Sequence, residues 1–381
     1  MKTHRKLFFW QNTNSIHQSA LLESLAKNPM YEVHLIVTEA LPEFRKAMGW
    51  QEPKLYNVNV HNCVAGELPL SFLQKSTESD VHIFSGINAF PNVHKAFRYA
   101  IKNAKGLISV FSEPLDYRGI KGKVRIMRAY YHKIRFGRKI DFILATGKYA
   151  VEQFLNVGYA KSKVFEWSYV VHKSNTLIPN HDADLDENFR IIFAASLIPR
   201  KGYDILLRAV KMLQDIPVQL DMYCVNEKNK EDVSTIVNQL DPSHSSCKVS
   251  FFEFLPNDEL RNQINNYDLL VLPSRHDGWG AIINESLMEG TPVIVSSNCG
   301  SSSLINYRQF GNVLKELNPD SLNLILRSQI QKGKVGKDLR KSNRDLANRV
   351  ISGEAMASYF NQILSYQIGQ VNIMPKPPYS K

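Results

Sequence analysis

LLVLPSRHDGWGAIINESLMEGTPVIVSSNCGSSS, residues 269–303, is the stretch whose reading sets the fold class. Residues 269–272 are an apolar run short enough for one strand buried on both faces of a parallel sheet. Pro273 and Ser274 stop the run, and Asp277-Gly278-Trp279-Gly280 predicts a tight turn. Residues 281–289 read as a helix closed by Gly290 and Pro292. Residues 293–295 read as a second strand, and 296–303 as a loop of small residues. The unit is strand, turn, helix, strand, with polar side chains gathered at one end. In open α/β sheets ligands bind beyond the strand C-termini, where helix N-termini offer N–H groups to anions.

The same alternation extends in both directions. Toward the N-terminus, strands are predicted at 6–10, 31–37, 81–84, 107–111 and 142–145. Helices are predicted at 15–27, burying Ile16, Leu21, Leu22 and Leu25, and at 92–104. Such alternation argues for a parallel, doubly wound sheet. Residues 172–189 read as a linker with an acidic cluster at Asp182, Asp184, Asp186 and Glu187. The formal DxD of Asp182 and Asp184 reads there as a solvated charge run. The pattern restarts with strands at 191–195, 219–224 and 248–252 and helices at 203–213, 231–240 and 257–265. A last amphipathic helix spans 354–367, with Ala357, Phe360, Ile363 and Leu364 on one side; the tail around 375–378 is expected to be disordered. The expected organisation is a first α/β domain at 1–175, a second at 188–350, and a helix with tail at 351–381.

At 381 residues the chain is long for one core, which agrees with two domains. Lysines and arginines exceed acids by 47 − 36 = 11, so an anionic partner or surface is expected. Cys63, Cys224, Cys247 and Cys299 have no spacing for zinc or a disulfide framework, which reads as a reducing cytoplasm. Residues 1–10 begin like an export signal, but the apolar run stops at Gln11. No run of about 18 apolar residues predicts a membrane span. GxxxxGK[ST] is absent, and the GxG of Gly278 and Gly280 has Ile283 where a third glycine would stand, which disfavours an NAD or ATP enzyme.

Asp277 and Glu285 frame the turn and helix of the opening stretch. A carboxylate is a good acceptor for a pair of sugar hydroxyls. By themselves the two acids read as a helix cap and a solvated helix residue. With the glycines, Pro292 and the serine-rich loop in register, the stretch resembles the acidic signature of retaining GT-B glycosyltransferases, which use nucleotide-sugar donors. That signature is an acid, Gly-aromatic-Gly, a few apolar residues, then Glu and a small residue; Asp277 stands where Glu is commoner. The loop Ser196-Leu197-Ile198-Pro199-Arg200-Lys201-Gly202 is similar to the family's pyrophosphate loop, with Lys201-Gly202 matching its Lys-Gly. Ala195 and Ser196 fall where Gly-Arg is usual, and Arg200 is the nearby substitute cation.

The resemblance covers about residues 191–304, and what it implies is specific. The fold would be GT-B, two Rossmann-like doubly wound domains facing across a cleft, with the C-terminal helix crossing back. Arg200, Lys201, Gly278, Gly280, Glu285, Gly300, Ser301 and Ser302 would bind a nucleoside diphosphate sugar, the serines through backbone amides. Lys201 and Asp277 would act in catalysis, with no metal expected, because cations beside a departing diphosphate stabilise its developing charge.

The acceptor side falls to the first half. Glu113 follows the strand at 107–111 and could orient or deprotonate an acceptor hydroxyl, or else pair with a nearby arginine such as Arg118. His17, after the first strand, is a candidate contact to acceptor or phosphate. Residues 118–139 carry nine lysines and arginines and no acid, with Tyr130, Tyr131 and Phe136 interleaved. This segment, through Arg125, Arg128, Lys133 and Arg135, is read as facing an anionic membrane, each basic side chain contributing about 1 kcal/mol near the surface. The expectation is a cytoplasmic, peripherally membrane-associated glycosyltransferase acting on a saccharide or lipid-linked acceptor in cell-surface polysaccharide or lipopolysaccharide assembly, without nucleic acid. The rival readings are a GT-B-fold nucleotide-sugar epimerase and a basic nucleic-acid-binding protein, whose affinity would fall steeply with salt.

Overall fold

The structure, a computed structural model, describes residues 4–178, 188–226, 229–239 and 247–380. The acidic cluster from Asp182 to Glu187 lies outside the described residues. The chain divides into two compact units. The first comprises Met1–Pro42, Glu52–His172 and Val350–Ser380; the second comprises Glu43–Gln51 and Lys173–Arg349, with Lys381.

In the first unit seven parallel strands form one sheet: β1 (Arg5–Gln11), β2 (Tyr31–Val37), β3 (Asn59–Asn62), β4 (Val81–Ser85), β5 (Leu107–Ser112), β6 (Phe142–Thr146) and β7 (Val164–Trp167). Their order is β3-β2-β1-β4-β5-β6-β7. In the second unit β8 (Phe189–Ala194), β9 (Val218–Val225), β10 (Cys247–Glu253), β11 (Leu269–Leu272), β12 (Val293–Ser296) and β13 (Gly311–Leu314) are ordered β10-β9-β8-β11-β12-β13. The strand order reverses between β1 and β4 in one sheet and between β8 and β11 in the other. Ligands bind at such switch points, beyond the strand C-termini. The switch point of the second sheet is therefore flanked by the loop after β8 and the loop after β11, the two motif-bearing stretches of the sequence.

Central strands are buried along most of their length, as apolar runs require. All four residues of β11 and all four of β12 lie in the core. The unpredicted strands β3, β7 and β13 are at most four residues long and lie at sheet edges, where one-sided pairing needs no apolar run.

Two expectations are corrected in the first unit. The first helix is Ile16–Ala26, N-capped by Ser15, whose Oγ accepts from the His17 amide at 3.3 Å. It buries His17, Ala20, Leu21, Leu22 and Leu25, while Ile16 is only half-buried. The tail is not disordered through 380: Tyr379 is buried, and burial beside Glu166 and Tyr359 pushes its phenol well above the usual range. A single aromatic beyond the prolines anchors it.

The last helix, Gly353–Gln367, packs on the first. Gly353 permits the approach, since a Cβ there would lie 2.3 Å from the Ala20 carbonyl oxygen. Trp167 stacks on Tyr359 with ring centroids 5.7 Å apart, and Tyr31 Oη donates to Asn361 Oδ1 at 2.8 Å.

Phe8 lies between two imidazoles, stacked on His34 at 4.6 Å and His82 at 4.8 Å. His82 Nδ1 accepts from the Trp10 indole at 3.4 Å, so Nε2 carries the proton toward Ser76 Oγ at 3.0 Å. Burial lowers the His82 pKa from 6.5 to about 3, and burial lowers His34 and His61 as well. Between those values the unfolded chain binds a proton that the folded chain refuses, so stability is complete above pH 6.5 and falls as pH drops toward 3. Urea midpoints should fall steadily from pH 7 to pH 4, and His82→Gln should flatten that fall; a pH-independent midpoint in the parent chain would contradict this account.

Candidate active site

The site of the second unit is built by three loops at the C-terminal ends of β8, β11 and β12. The loop after β8 turns through Pro199–Lys201 into Gly202, which has φ +73°. A Cβ on Gly202 would sit 2.0 Å from the Pro273 carbonyl oxygen, so only glycine lets this loop reach the loop after β11. The Arg275 amide donates to the Arg200 carbonyl at 2.8 Å across the same junction. The result is an ion pair: Lys201 Nζ lies 2.5 Å from Asp277 Oδ2, both side chains mostly buried.

The third loop is laced to the second. The Asp277 amide donates to Asn298 O, Gly300 to Asp277 O and Ser301 to Trp279 O, at 3.1, 3.3 and 2.9 Å. Gly300 is required here, because a Cβ would come within 2.4 Å of the Gly278 carbonyl oxygen. Gly280 has φ +87°, and a Cβ there would lie 3.0 Å from Leu272 Cδ2 and 3.2 Å from Ser301 Oγ. Trp279 is buried and donates from Nε1 to Asn284 Oδ1 at 2.7 Å, fixing the turn against the helix Ile282–Met288. Burial, with Asp277 close by, pushes the Cys299 thiol up to about 12, so a neutral thiol lies beside the pair.

The sequence-predicted donor residues therefore converge, with differences. Asp277 is not the helix cap, which falls at Ala281. Glu285 is buried in that helix, not solvated. Arg200 is exposed and donates to the His276 carbonyl at 3.0 Å. The amides of Ser301 and Ser302 are already bonded to Trp279 O and Cys299 O. Their hydroxyls are the groups left: both are buried, and neither has a hydrogen-bond partner among the described residues.

Sequence reading missed Glu289 at the end of the same helix. Its carboxylate is fully buried, 2.6 Å from Arg261 Nη2 and 3.3 Å from Arg344 Nη2, and accepts from Ser174 and Thr176 hydroxyls at 2.5 and 2.8 Å. Its partners are scattered from 174 to 344, so no local spacing announces it.

In the first unit Glu113 and His17 come together through a residue the sequence reading did not select. Tyr169 Oη donates to Glu113 Oε1, and the Tyr169 ring stacks on His17 at 5.7 Å. Arg118 is not the partner of Glu113; it binds Asp116 through Nε and Nη2 at 2.8 and 2.9 Å. Glu113 borders a cavity of about 430 Å³ that also takes in Tyr117, Arg125, Arg128 and His132.

The basic segment forms the helix Gly119–Phe136. Two of its four designated residues do not face outward. Arg125 donates to the Asp116 carbonyl at 2.7 Å, and Lys133 Nζ lies over the Tyr159 ring at 5.1 Å. Both lie on the packed side of the helix. The outward side instead carries Ile120, Val124, Met127, Tyr131 and Ile134, spaced by four and three residues, with exposures of 83, 50, 71, 58 and 83%.

The class follows from fold and sequence together. Residues 176–346 match the family described as glycosyl transferases group 1, so the second unit carries a group 1 glycosyltransferase domain. An uncharacterized glycosyltransferase of Methanocaldococcus jannaschii is 30% identical over 138 residues, covering 36% of this chain and 34% of its own. The chain spans 34, 42 and 26% of the lengths of three curated relatives it matches. Anabaena HepE in complex with UDP has a TM-score of 0.65 at 14% identity, covering 95% of this chain and 99% of that one. A lipopolysaccharide outer core galactosyltransferase in its apo form has a TM-score of 0.66 at 14% identity, covering 96 and 100%. The fold is GT-B: two parallel, doubly wound sheets in one chain.

Removing one member of a buried ion pair strands the others. Glu289→Ala should cost the second unit about 3–5 kcal/mol, because Arg261 and Arg344 lose their buried counter-charge. Urea unfolding measures this directly; a loss below about 1 kcal/mol would mean that water reaches the cluster.

Proposed function

We propose that the chain is a glycosyltransferase moving a sugar from a nucleoside diphosphate sugar to an acceptor hydroxyl, with retention at the anomeric carbon. The observation that carries this is the Lys201–Asp277 pair at the switch point of the second sheet, beside the unsatisfied buried hydroxyls of Ser301 and Ser302. Lys201 supplies positive charge where a diphosphate leaves, and Asp277 holds that ammonium in place before the donor arrives. Ser301 and Ser302 can donate to phosphate or sugar oxygens that replace their missing partners. Glu285 and Asp277 are carboxylate acceptors for sugar or ribose hydroxyls. Because the cation is a lysine, the reading needs no metal. The UDP held by Anabaena HepE, a neighbour in fold, supports a nucleotide donor.

On the acceptor side Glu113 is the base, positioned by the Tyr169 hydroxyl. The acceptor in this reading is lipid-linked, in cell-surface polysaccharide or lipopolysaccharide assembly. The outward stripe of the basic helix supports it, since Lys121, Lys123, Arg128 and Arg135 flank the apolar residues as in an interfacial helix. An anionic bilayer is the surface that matches this combination. No helix among the described residues is long and apolar enough to cross a membrane. The association in this reading is peripheral, on the cytoplasmic face.

Two measurements test the reading. Thermal-shift titration with nucleoside diphosphates and their sugars, in EDTA, should find one base that stabilises the chain by about 2.7 kcal/mol at a hundredfold excess over Kd. Lys201→Ala and Glu285→Ala should abolish that shift; stabilisation unchanged in both variants would remove the donor site from these loops. The second is sedimentation with anionic liposomes. Ile120→Ser, Met127→Ser and Ile134→Ser combined should release the chain into the supernatant, and equal pelleting would refute membrane docking by this helix.

A further inference from the structure

Alongside the basic helix, and open to solvent through the exposed Arg98, Arg128, Tyr131 and Arg135, the first unit holds a second cavity, of about 260 Å³, which shares Asn88, Arg128 and His132 with the larger one beside Glu113. Its other walls include His94, Arg98, Tyr131 and Arg135, and no carboxylate lines it. Several arginines elsewhere have a carboxylate partner: Arg118 with Asp116, Arg275 with Asp204, Arg327 with Asp215, Arg261 and Arg344 with Glu289. Arg98, Arg128 and Arg135 make no ion pair or side-chain hydrogen bond among the described residues. The three guanidinium groups are exposed and line one cavity without a counter-charge, so an anion entering it meets three donors at once. Burial foremost, then the nearby His94 and Arg128, lowers the His132 pKa to about 4.

The two chambers differ in chemistry. The larger is walled by Ile87, Leu115, Phe154, Val157 and Tyr159 and opens on Glu113. Its volume suits one or two sugar rings. The Tyr159 hydroxyl, in that wall, is buried without a hydrogen-bond partner. The smaller chamber offers planar, bidentate donors, the geometry that matches phosphate oxygens.

We propose that the acceptor is a phosphate ester, its phosphate held by Arg98, Arg128 and Arg135 in the smaller cavity and its hydroxyl-bearing part lying in the larger cavity toward Glu113. The word acceptor rests on the glycosyltransferase reading above; the anion site itself does not. A lipid phosphate and a soluble sugar phosphate present the same group to these arginines.

Calorimetric titration of the full chain with inorganic phosphate, glucose 6-phosphate and octyl phosphate tests the site. Combined Arg98→Gln, Arg128→Gln and Arg135→Gln, and Arg128→Gln alone, should weaken the phosphate esters at least tenfold and fivefold respectively. Tighter binding of octyl phosphate than of glucose 6-phosphate assigns the source to lipid, and the reverse order to a soluble sugar phosphate. No binding by any of the three probes, loss only in Lys201→Ala, or equal binding in the arginine variants overturns the proposal. UDP and GDP titrated into the same variants separate the two readings. A nucleotide still bound when phosphate esters are not refutes the phosphate site alone, while absence of nucleotide binding in the parent chain refutes the donor site.

Discussion

Everything at the loops after β8 and β11 depends on one close approach, that of the Gly202 α-carbon to the Pro273 carbonyl. Neighbouring parallel strands deliver two loops to the same edge of the sheet but do not make them touch. A side chain at 202 would hold them apart by a carbon's width and would in addition meet a left-handed backbone. With glycine there, a lysine from one loop and an acid from the next share a largely desolvated space, where their attraction is several-fold stronger than in water. Gly300 against Gly278 repeats the device between the second and third loops. Side chains carry the chemistry, but backbone contacts set where those side chains are.

The architecture was readable because buried parallel strands are short apolar runs, and helices between them keep their own period. Val218–Val225 and Leu269–Leu272 announce themselves in this way. Asn59–Asn62 does not, because an exposed edge strand has no reason to be apolar. The loops after β8, β11 and β12 were readable for a different reason, since glycines, a proline and charged residues fall at fixed separations within one strand–helix unit. Tyr169 and Glu289 were not. Tyr169 matters through Glu113 and His17, both far from it in sequence, and Glu289 through arginines 28 and 55 positions away. No periodicity encodes a meeting arranged by tertiary packing.

Charge was legible as an amount and illegible as a direction. Nine basic residues without an acid forecast an anionic partner, and the helix that carries six of them turns some inward and some aside. Arg125 and Lys133 are engaged with the first unit's own carbonyl and aromatic groups. The face turned to solvent is apolar at its centre and basic only at its borders. Charge counting treats those residues as equivalent, whereas the helix assigns them by angle.

The return of residues 350–380 to the first unit has a consequence for biosynthesis. Domains of most chains can fold in the order in which they emerge from the ribosome. Here the first unit is discontinuous, and the second is completed inside it. Until residues 353–367 emerge, the faces of Phe9 and Trp167 that they cover stay exposed to water. The unit that begins the chain is thus the last to be finished, and a ribosome that stops before the final helix releases a sheet with an open apolar flank.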